Sequence, residues 1–174
     1  PKIEVHMEDS QGRDWQMGTA QLDLVMLPKQ FNLSYIDENG KKQMPWVIHR
    51  AIFGSFERFI GILLEHFSGA LPLWLSPTQA RILTINDKVI DYAKEVEQEL
   101  KKNSVRVELD DRNESLGKKI REGEMQKIPY LLVIGEKEKS AYMVNIRTRG
   151  TQQTDNLLYK DFVTKLSEKL ESIG

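Results

Sequence analysis

The chain of 174 residues contains no cysteine. That excludes a disulfide framework, a thiolate nucleophile and any zinc site built on Cys within these residues. It also lacks an apolar run of the roughly 18 residues that a membrane-spanning helix needs, and Pro1-Lys2-Ile3-Glu4 carries no apolar core of a signal peptide. The sequence does not start with Met and begins as though already inside a strand, so it reads as a piece of a longer protein. Internal repeats and low-complexity runs are missing. So are a Gly-x-x-x-x-Gly-Lys-Ser/Thr loop and a Gly-x-Ser-x-Gly elbow, and with three histidines a His-rich metal cluster is ruled out. Nothing self-contained looks catalytic. An excess of charge is lacking too: 25 Lys and Arg stand against 26 Asp and Glu, a net charge of −1. A non-specific nucleic-acid binder normally shows a basic excess. Residues 1–75 carry 7 basic and 9 acidic side chains, and residues 76–174 carry 18 and 17. If RNA is bound, local arrangement must do it.

What is present suits one large domain or two small ones, each able to bury a core. The best boundary is Leu71-Pro72-Leu73-Trp74-Leu75-Ser76-Pro77, where two prolines interrupt an apolar stretch; it divides the chain into 1–75 and 76–174. On the N-terminal side Ile3, Val5 and Met7 alternate with polar residues as in a half-buried strand, and Asp9 to Asp14 reads as a turn around Gly12. Trp15 to Leu27 is predicted to be a longer strand, Asp37-Glu38-Asn39-Gly40 a polar loop, and Pro45 to Ile48 a buried strand. From Ala51 onward Ile52, Phe56, Phe59, Ile60, Leu63, Leu64 and Phe67 recur at helical spacing.

On the C-terminal side, strands are predicted at Arg81–Asn86, Val105–Leu109, Tyr130–Ile134 and Tyr142–Ile146. Helices are expected over Val89 to Leu100 (ending near Asn103), after an Asn113 cap with Leu116 and Ile120, and over Leu158 to Ile173. The order β-α-β-α-β-β-α implies a mixed sheet flanked by helices and closed by an antiparallel pair.

Three groups of residues carry candidate chemistry. His49-Arg50-Ala51-Ile52-Phe53-Gly54-Ser55-Phe56-Glu57-Arg58 runs from a strand end into a helix, a place that attracts anions. Arg58 offers planar, bidentate donors for a phosphate, and His49 a neutral imidazole nitrogen for a metal. The plainer reading is a hydrogen-bonded structural histidine and a solvated helix face. Gln16, Thr19, Gln21 and Asp23 form a polar strand face whose amides suit an uncharged ligand, or simply an ordinary wet sheet face. Arg112, Lys118, Lys119, Arg121, Lys127, Arg147 and Arg149, with Asn113, Glu138 and Tyr142, can read unstacked RNA bases. Equally, Asn86, Asp87 and Asn113 can serve as helix caps while the charges solvate helix faces.

The segment His49 to Gly61 resembles the third class-defining motif of threonyl-tRNA synthetases, the class II enzymes that charge tRNA with threonine. Trp15-Gln16-Met17-Gly18-Thr19-Ala20-Gln21-Leu22-Asp23 is similar to the preceding strand in that family, and Trp74-Leu75-Ser76-Pro77 to its domain junction. Asp111-Arg112-Asn113-Glu114 and Ile128-Pro129-Tyr130 resemble its C-terminal anticodon-binding domain. The match covers essentially the whole chain in order. The resemblance implies an α/β fold: a remnant of a class II antiparallel sheet with its motif-3 helix in residues 1–75, then an α/β anticodon-binding domain with a mixed sheet in 76–174.

By the same resemblance Arg58 is the motif-three arginine on the ATP phosphates and the one catalytic candidate. Gln16, Gln21 and Ser55 line the adenylate pocket, His49 is one of three ligands of a catalytic Zn²⁺, and Asn113, Arg121, Glu138 and Arg147 read anticodon bases. Many class II enzymes have glycine where Ser55 stands, which suits the threonyl subgroup better than the prolyl or histidyl ones. Implied cofactors are ATP with Mg²⁺, and Zn²⁺ in the whole enzyme; implied partners are tRNA-Thr, threonine and a second copy of the chain in a cytoplasmic homodimer. The family's other two zinc ligands, motif one and the motif-two arginine would lie before Pro1. The chain alone is therefore expected to keep tRNA recognition and to lack aminoacylation activity. The alternatives are a stand-alone RNA-binding module or a protein-interaction module of the same fold, neither of which needs His49, Arg58, Gln16 and Gln21.

Overall fold

The computed structural model describes residues 1–151 and 153–172, and divides into two compact units, Pro1–Gly69 and Ala70–Gly174. Ile173, expected in the last helix, lies outside the described residues.

The first unit is built on strands β1 (Lys2–Glu8) and β2 (Asp14–Asp23), joined by a tight turn, with β5 (Val47–Ala51) on the other edge of β2. All three run antiparallel. The turn is organised by Asp9, whose side chain is 1% exposed. Its Oδ1 accepts from the Gln11 and Arg13 backbone N–H groups, and its Oδ2 from Arg13 Nε at 2.6 Å and Trp15 Nε1 at 2.8 Å. Burial alone would push this carboxyl up. The hydrogen bonds, led by the Trp15 indole, outweigh it and hold Asp9 well below the usual carboxylate range. A depressed carboxyl contributes stability that is complete above the unfolded value of about 3.9 and is lost as the pH falls below it. The Trp15 indole N–H resonance is therefore expected to hold from pH 7 to about 4 and to report an opening turn below that. Asp9→Asn is expected to open the turn already at pH 7 and to abolish the acid step; an unchanged acid step in that variant would refute the role.

Strand β2 ends at Asp23 rather than running on to Leu27. The Asp23 carboxylate accepts from the Val25 and Met26 N–H groups and turns the chain into the short helix α1 (Met26–Gln30). A hairpin of β3 (Tyr35–Ile36) and β4 (Lys42–Gln43) follows, closed by Asp37 and Gly40 as the polar loop predicts. The apolar run at 45–48 is not a buried strand. The strand is Val47–Ala51, at the sheet edge, with Trp46 71% and Ile48 77% exposed. The helix expected from Ala51 begins five residues later as α2 (Phe56–His66). Gly54 takes φ +65°, where a Cβ would meet Met17 O at 3.2 Å, and Ser55 Oγ caps the helix by accepting from Arg58 N at 3.3 Å.

In the second unit the sheet order is β10-β9-β8-β6-β7: β6 (Ala80–Thr84), β7 (Val107–Asp110), β8 (Tyr130–Ile134), β9 (Met143–Thr148) and β10 (Thr154–Leu158). Strands β6, β7 and β8 are parallel, and β9 and β10 complete the sheet antiparallel. Helices α3 (Ile90–Lys102) and α6 (Tyr159–Glu171) cover one face, sharing a core with Ile82, Leu132, Ile134, Val144 and Ile146. Helix α4 (Leu116–Met125) covers part of the other, packing Leu116 and Ile120 on Leu83, Leu131 and Val133. This is the expected mixed sheet with helices on it, with two additions. A short helix α5 (Glu136–Ala141) follows β8, and β10 lies beyond β9. The expected Asn113 cap is also displaced: Ser115 caps α4, its Oγ accepting from Lys118 N. Tyr142 is not in β9 but in the left-handed link before it, at φ 53°.

Candidate functional site

In the first unit the register of β1 on β2 shifts between Val5 and His6: Val5 pairs with Gly18 but His6 with Gln16, leaving Met17 as a bulge. Directly opposed residues of antiparallel strands share a face. In a regular strand Gln16 and Thr19 would point to opposite faces; the bulge reverses the alternation. Lys2 and Gln21, Glu4 and Thr19, His6 and Gln16 therefore all lie on one side, and Gln21 carries the pairing on to His49 of β5. Gln16, Gln21 and His49 are thus brought to one sheet face. Gln16 Nε2 donates to Glu4 Oε1 at 2.5 Å. Asp23, expected on the same polar face, is buried and committed to its cap.

Arg58 approaches the edge of β2 from the helix, on the side of Trp15, which pairs with Met7 and so faces away from Gln16. Its Nη1 donates to Gln16 O at 3.0 Å, beside the bulge, and its guanidinium lies 5.5 Å from the Trp15 ring centroid. Ser55 sits one turn earlier as the cap. His49 lies within β5, not at its end, and is exposed. Among the described residues no three His, Asp or Glu side chains converge as metal ligands. A catalytic zinc takes at least three protein ligands, so the residues of this chain do not by themselves fit that ion.

In the second unit the chain leaves β6 toward α3 on one face and β7 toward α4 on the other. With the order β8-β6-β7, the topological switch point, the place where open sheets present ligand-binding loops, lies at the carboxyl ends of β6 and β8. Asn113 stands exposed on the loop from β7, and Glu138 half-buried on α5 beyond β8. The Glu138 carboxylate also has a local task, accepting from Gly135 N at 2.9 Å.

Along the α4 side of the sheet, Asn145 and Arg147 of β9 point opposite to the buried Val144 and Ile146, beside Val133 and Leu131. Asn145 Nδ2 donates to Asn156 Oδ1 of β10 at 3.0 Å. Glu124 of α4 comes to 3.7 Å from Arg147 Nη2, and Arg121 lies one turn before it on the same helix side.

The basic residues expected to gather here do not behave alike. Lys119 is buried, Lys118 is paired with Glu114, and Arg112 with Asp110 and Glu122. Arg149 donates to Lys127 O at 2.6 Å and Leu71 O at 2.8 Å. Arg106 is held by the Ser76 and Trp74 carbonyls, Arg81 by Glu108 and Gln126. Of the six arginines between 70 and 174, only Arg121 and Arg147 make no side-chain hydrogen bond among the described residues, and Arg147 Nε is buried without a partner. Sequence spacing does not separate these two from the four structural arginines; the sheet pairing does.

Residues 79–169 match the family model of the anticodon binding domain, and residues 1–67 that of the tRNA synthetase class II core domain (G, H, P, S and T). The chain is 50% identical over 172 residues to a threonine–tRNA ligase of Clostridioides difficile, covering 99% of this chain and 27% of that protein. It is 52% identical over 166 residues to the corresponding ligase of Carboxydothermus hydrogenoformans, covering 95% and 26%. The chain thus spans about a quarter of the length of these curated relatives. Among solved structures, the RNA binding domain of threonyl-tRNA synthetase from Cryptosporidium parvum matches with a TM-score of 0.81 and 42% identity, over 97% of this chain and 42% of that one. By the sheet, the motif-bearing segments and these matches, the chain belongs to the anticodon-binding domain family, joined as in threonyl-tRNA synthetases to a segment of the class II core.

Proposed function

We propose that the chain is part of a cytoplasmic threonine–tRNA ligase: residues 1–75 the C-terminal portion of the class II catalytic domain, and residues 76–174 the domain that recognises the anticodon of tRNA-Thr. The observation that carries the second half is the pair of arginines without a side-chain hydrogen bond among the described residues, Arg121 and Arg147, on the α4–β9 surface, with Asn145 beside Arg147 on β9 and with Asn113 and Glu138 past the carboxyl ends of β7 and β8 of the same sheet. Guanidinium and amide groups read unstacked bases by edge hydrogen bonds and by stacking. Two guanidiniums without a side-chain hydrogen bond among the described residues, on a chain of net charge −1, suit selective reading better than bulk attraction.

For the first half, the support is the bulge that turns Gln16 onto the face of Gln21 and His49, with Arg58 donating to the Gln16 carbonyl. In the whole enzyme this face holds ATP with Mg²⁺: Arg58 binds phosphate through its remaining donors, and Gln16, Gln21 and Ser55 orient the adenylate. An arginine there stabilises negative charge as the threonine carboxylate attacks the α-phosphate, the α–β phosphoanhydride bond breaks and pyrophosphate leaves. Zn²⁺, which would distinguish threonine from valine through the hydroxyl, needs ligands besides His49; a homodimer likewise belongs to the whole enzyme. The chain alone is a tRNA-recognising part without ligase activity.

The test is binding of a labelled tRNA-Thr anticodon stem-loop to the 174-residue chain, followed by fluorescence anisotropy. Affinity is expected to fall as salt rises and to fall further when anticodon bases are changed. Equal affinity for stem-loops of altered anticodon would overturn base reading and favour a general RNA-binding or protein-interaction module.

A further inference from the structure

Lys119 differs from every other lysine of the described residues in being 2% exposed. Its ammonium donates to Thr84 O at 2.9 Å, Thr84 Oγ1 at 3.3 Å and Asp110 O at 3.1 Å, and it has no carboxylate within ion-pair distance among those residues. Burying a cation without a counter-ion is unfavourable, and an apolar side chain of equal length would fill the same space without that penalty. The position therefore calls for what an ammonium does and a methyl group does not.

Its surroundings say what that is. Thr84 ends β6 and Asp110 ends β7, and the last paired residues of the two strands are Leu83 and Asp110. Beyond that pair the strands part, and the ammonium bridges their final carbonyls. The same residue's backbone N–H donates to Ser115 O at 3.1 Å. The Lys119 side chain thus ties the first turn of α4, where its backbone makes the ordinary helical bond to Ser115 O, to the strand end that launches the Asp111–Glu114 segment, through Asp110 O. Asn113 stands exposed in the middle of that segment.

We propose that Lys119 is a positioning residue of the RNA-facing surface, clamping the Asp111–Glu114 loop so that Asn113 is presented at a fixed place at the strand ends. This rests on the reading of that surface as the anticodon site.

The variant is Lys119→Met in the whole chain. Two readouts are taken: amide hydrogen exchange of residues 111–114, and the ratio of affinities for the tRNA-Thr stem-loop and a stem-loop with one anticodon base changed. Exchange in the loop is expected to speed up while β6 and β8 stay protected, and the affinity ratio to fall about tenfold, the scale of one base discrimination. Ile82→Val, a mild core change on the same strand that keeps all three ammonium contacts, is expected to leave both unchanged; a matching change in that variant would mean that Lys119 acts only through general stability. Faster loop exchange with an unchanged ratio, or no change in exchange, overturns the proposal. If the unaltered chain shows no preference between the stem-loops, the anticodon reading has failed and the proposal with it, whereas loop exchange still reports the clamp. Should Lys119→Met not fold, Thr84→Val removes one of the three contacts together with the Thr84 Oγ1–Asp110 O bond at 3.3 Å that bridges the same two strand ends, and is expected to loosen the loop about threefold; unchanged exchange there overturns the clamp.

Discussion

Leu132→Ala is expected to destabilise the Ala70–Gly174 unit by about 2–5 kcal/mol. Leu132 is fully buried in the middle of β8, between Ile146 of β9 and Ile82 of β6, and belongs to the core shared with α3 and α6. Truncation leaves a cavity lined by two strands and two helices, which cannot all move inward. For a domain of about 100 residues each kcal/mol lowers the midpoint by about 4–8 °C, so the unit is expected to melt at least roughly 10 °C lower. A domain holds only about 5–15 kcal/mol in total. Met125→Ala, at the exposed end of α4 (73% exposed), is expected to stay within about 0.5 kcal/mol. Thermal unfolding followed by amide signals of β6 and β8 makes the comparison. Similar midpoints for the two variants would mean that β8 is not the centre of the sheet.

The strands at the middle of that sheet were legible in the sequence because both their faces are covered: Tyr130–Ile134 is apolar throughout, as a strand under helices on both sides must be. Strand β10 was not legible. Thr154-Asp155-Asn156 is an edge segment with its polar side chains exposed, and only the pairing with Asn145 and Arg147 makes it a strand. Helix α5 is six residues long and held by the Gly135–Glu138 contact, a length at which hydrophobic periodicity carries no signal.

The Asn113 cap illustrates a different limit. Asn113 and Ser115 are both good caps, and choosing between them requires knowing that Asp110, not Leu109, ends β7.

Composition misled in the first unit. Ile3, Val5, Met7, Trp46 and Ile48 look like core residues and are between 43% and 77% exposed. An apolar side chain records a preference for cover, not the presence of one.

The site was legible in parts. Motif resemblance picks out Gln16, Gln21, His49 and Arg58, but the shared face of the first three depends on one bulged residue, Met17, that no alternation pattern marks, and Arg58 reaches β2 only at the Gln16 carbonyl. Likewise proximity in sequence groups seven basic residues. Hydrogen bonding divides them: Lys119 is spent inside the fold, Arg112 and Lys118 on carboxylates, Arg149 on carbonyls. What the sequence carries is the supply of donors; which of them remain free is a property of the sheet.

That division makes Arg147→Ala and Arg149→Ala a discriminating pair, two residues apart on one chain segment and of equal charge. Arg147 has one distant carboxylate, Glu124 at 3.7 Å, and a buried Nε with no acceptor. A buried donor left unsatisfied costs about 1–3 kcal/mol, so the free protein gains little by keeping this side chain where it is, and a bound base edge would engage the Nη donors of its 35% exposed side chain. Arg147→Ala is expected to leave thermal stability nearly unchanged while weakening stem-loop binding by about 1–3 kcal/mol, roughly 5- to 150-fold, the worth of a good bidentate base contact. The loss should fall mainly on the cognate anticodon, narrowing its advantage over altered ones. Arg149→Ala removes ties to the Lys127 and Leu71 carbonyls. It is expected to lower the melting midpoint and to weaken all stem-loops by a common small factor, with the salt slope reduced in the same measure as for loss of any one cation. Anisotropy titrations against matched and altered stem-loops at two salt concentrations separate the cases. Were the two variants to lose affinity equally for every stem-loop, Arg147 would be one more phosphate contact and the base-reading surface would have to lie elsewhere on the strand ends.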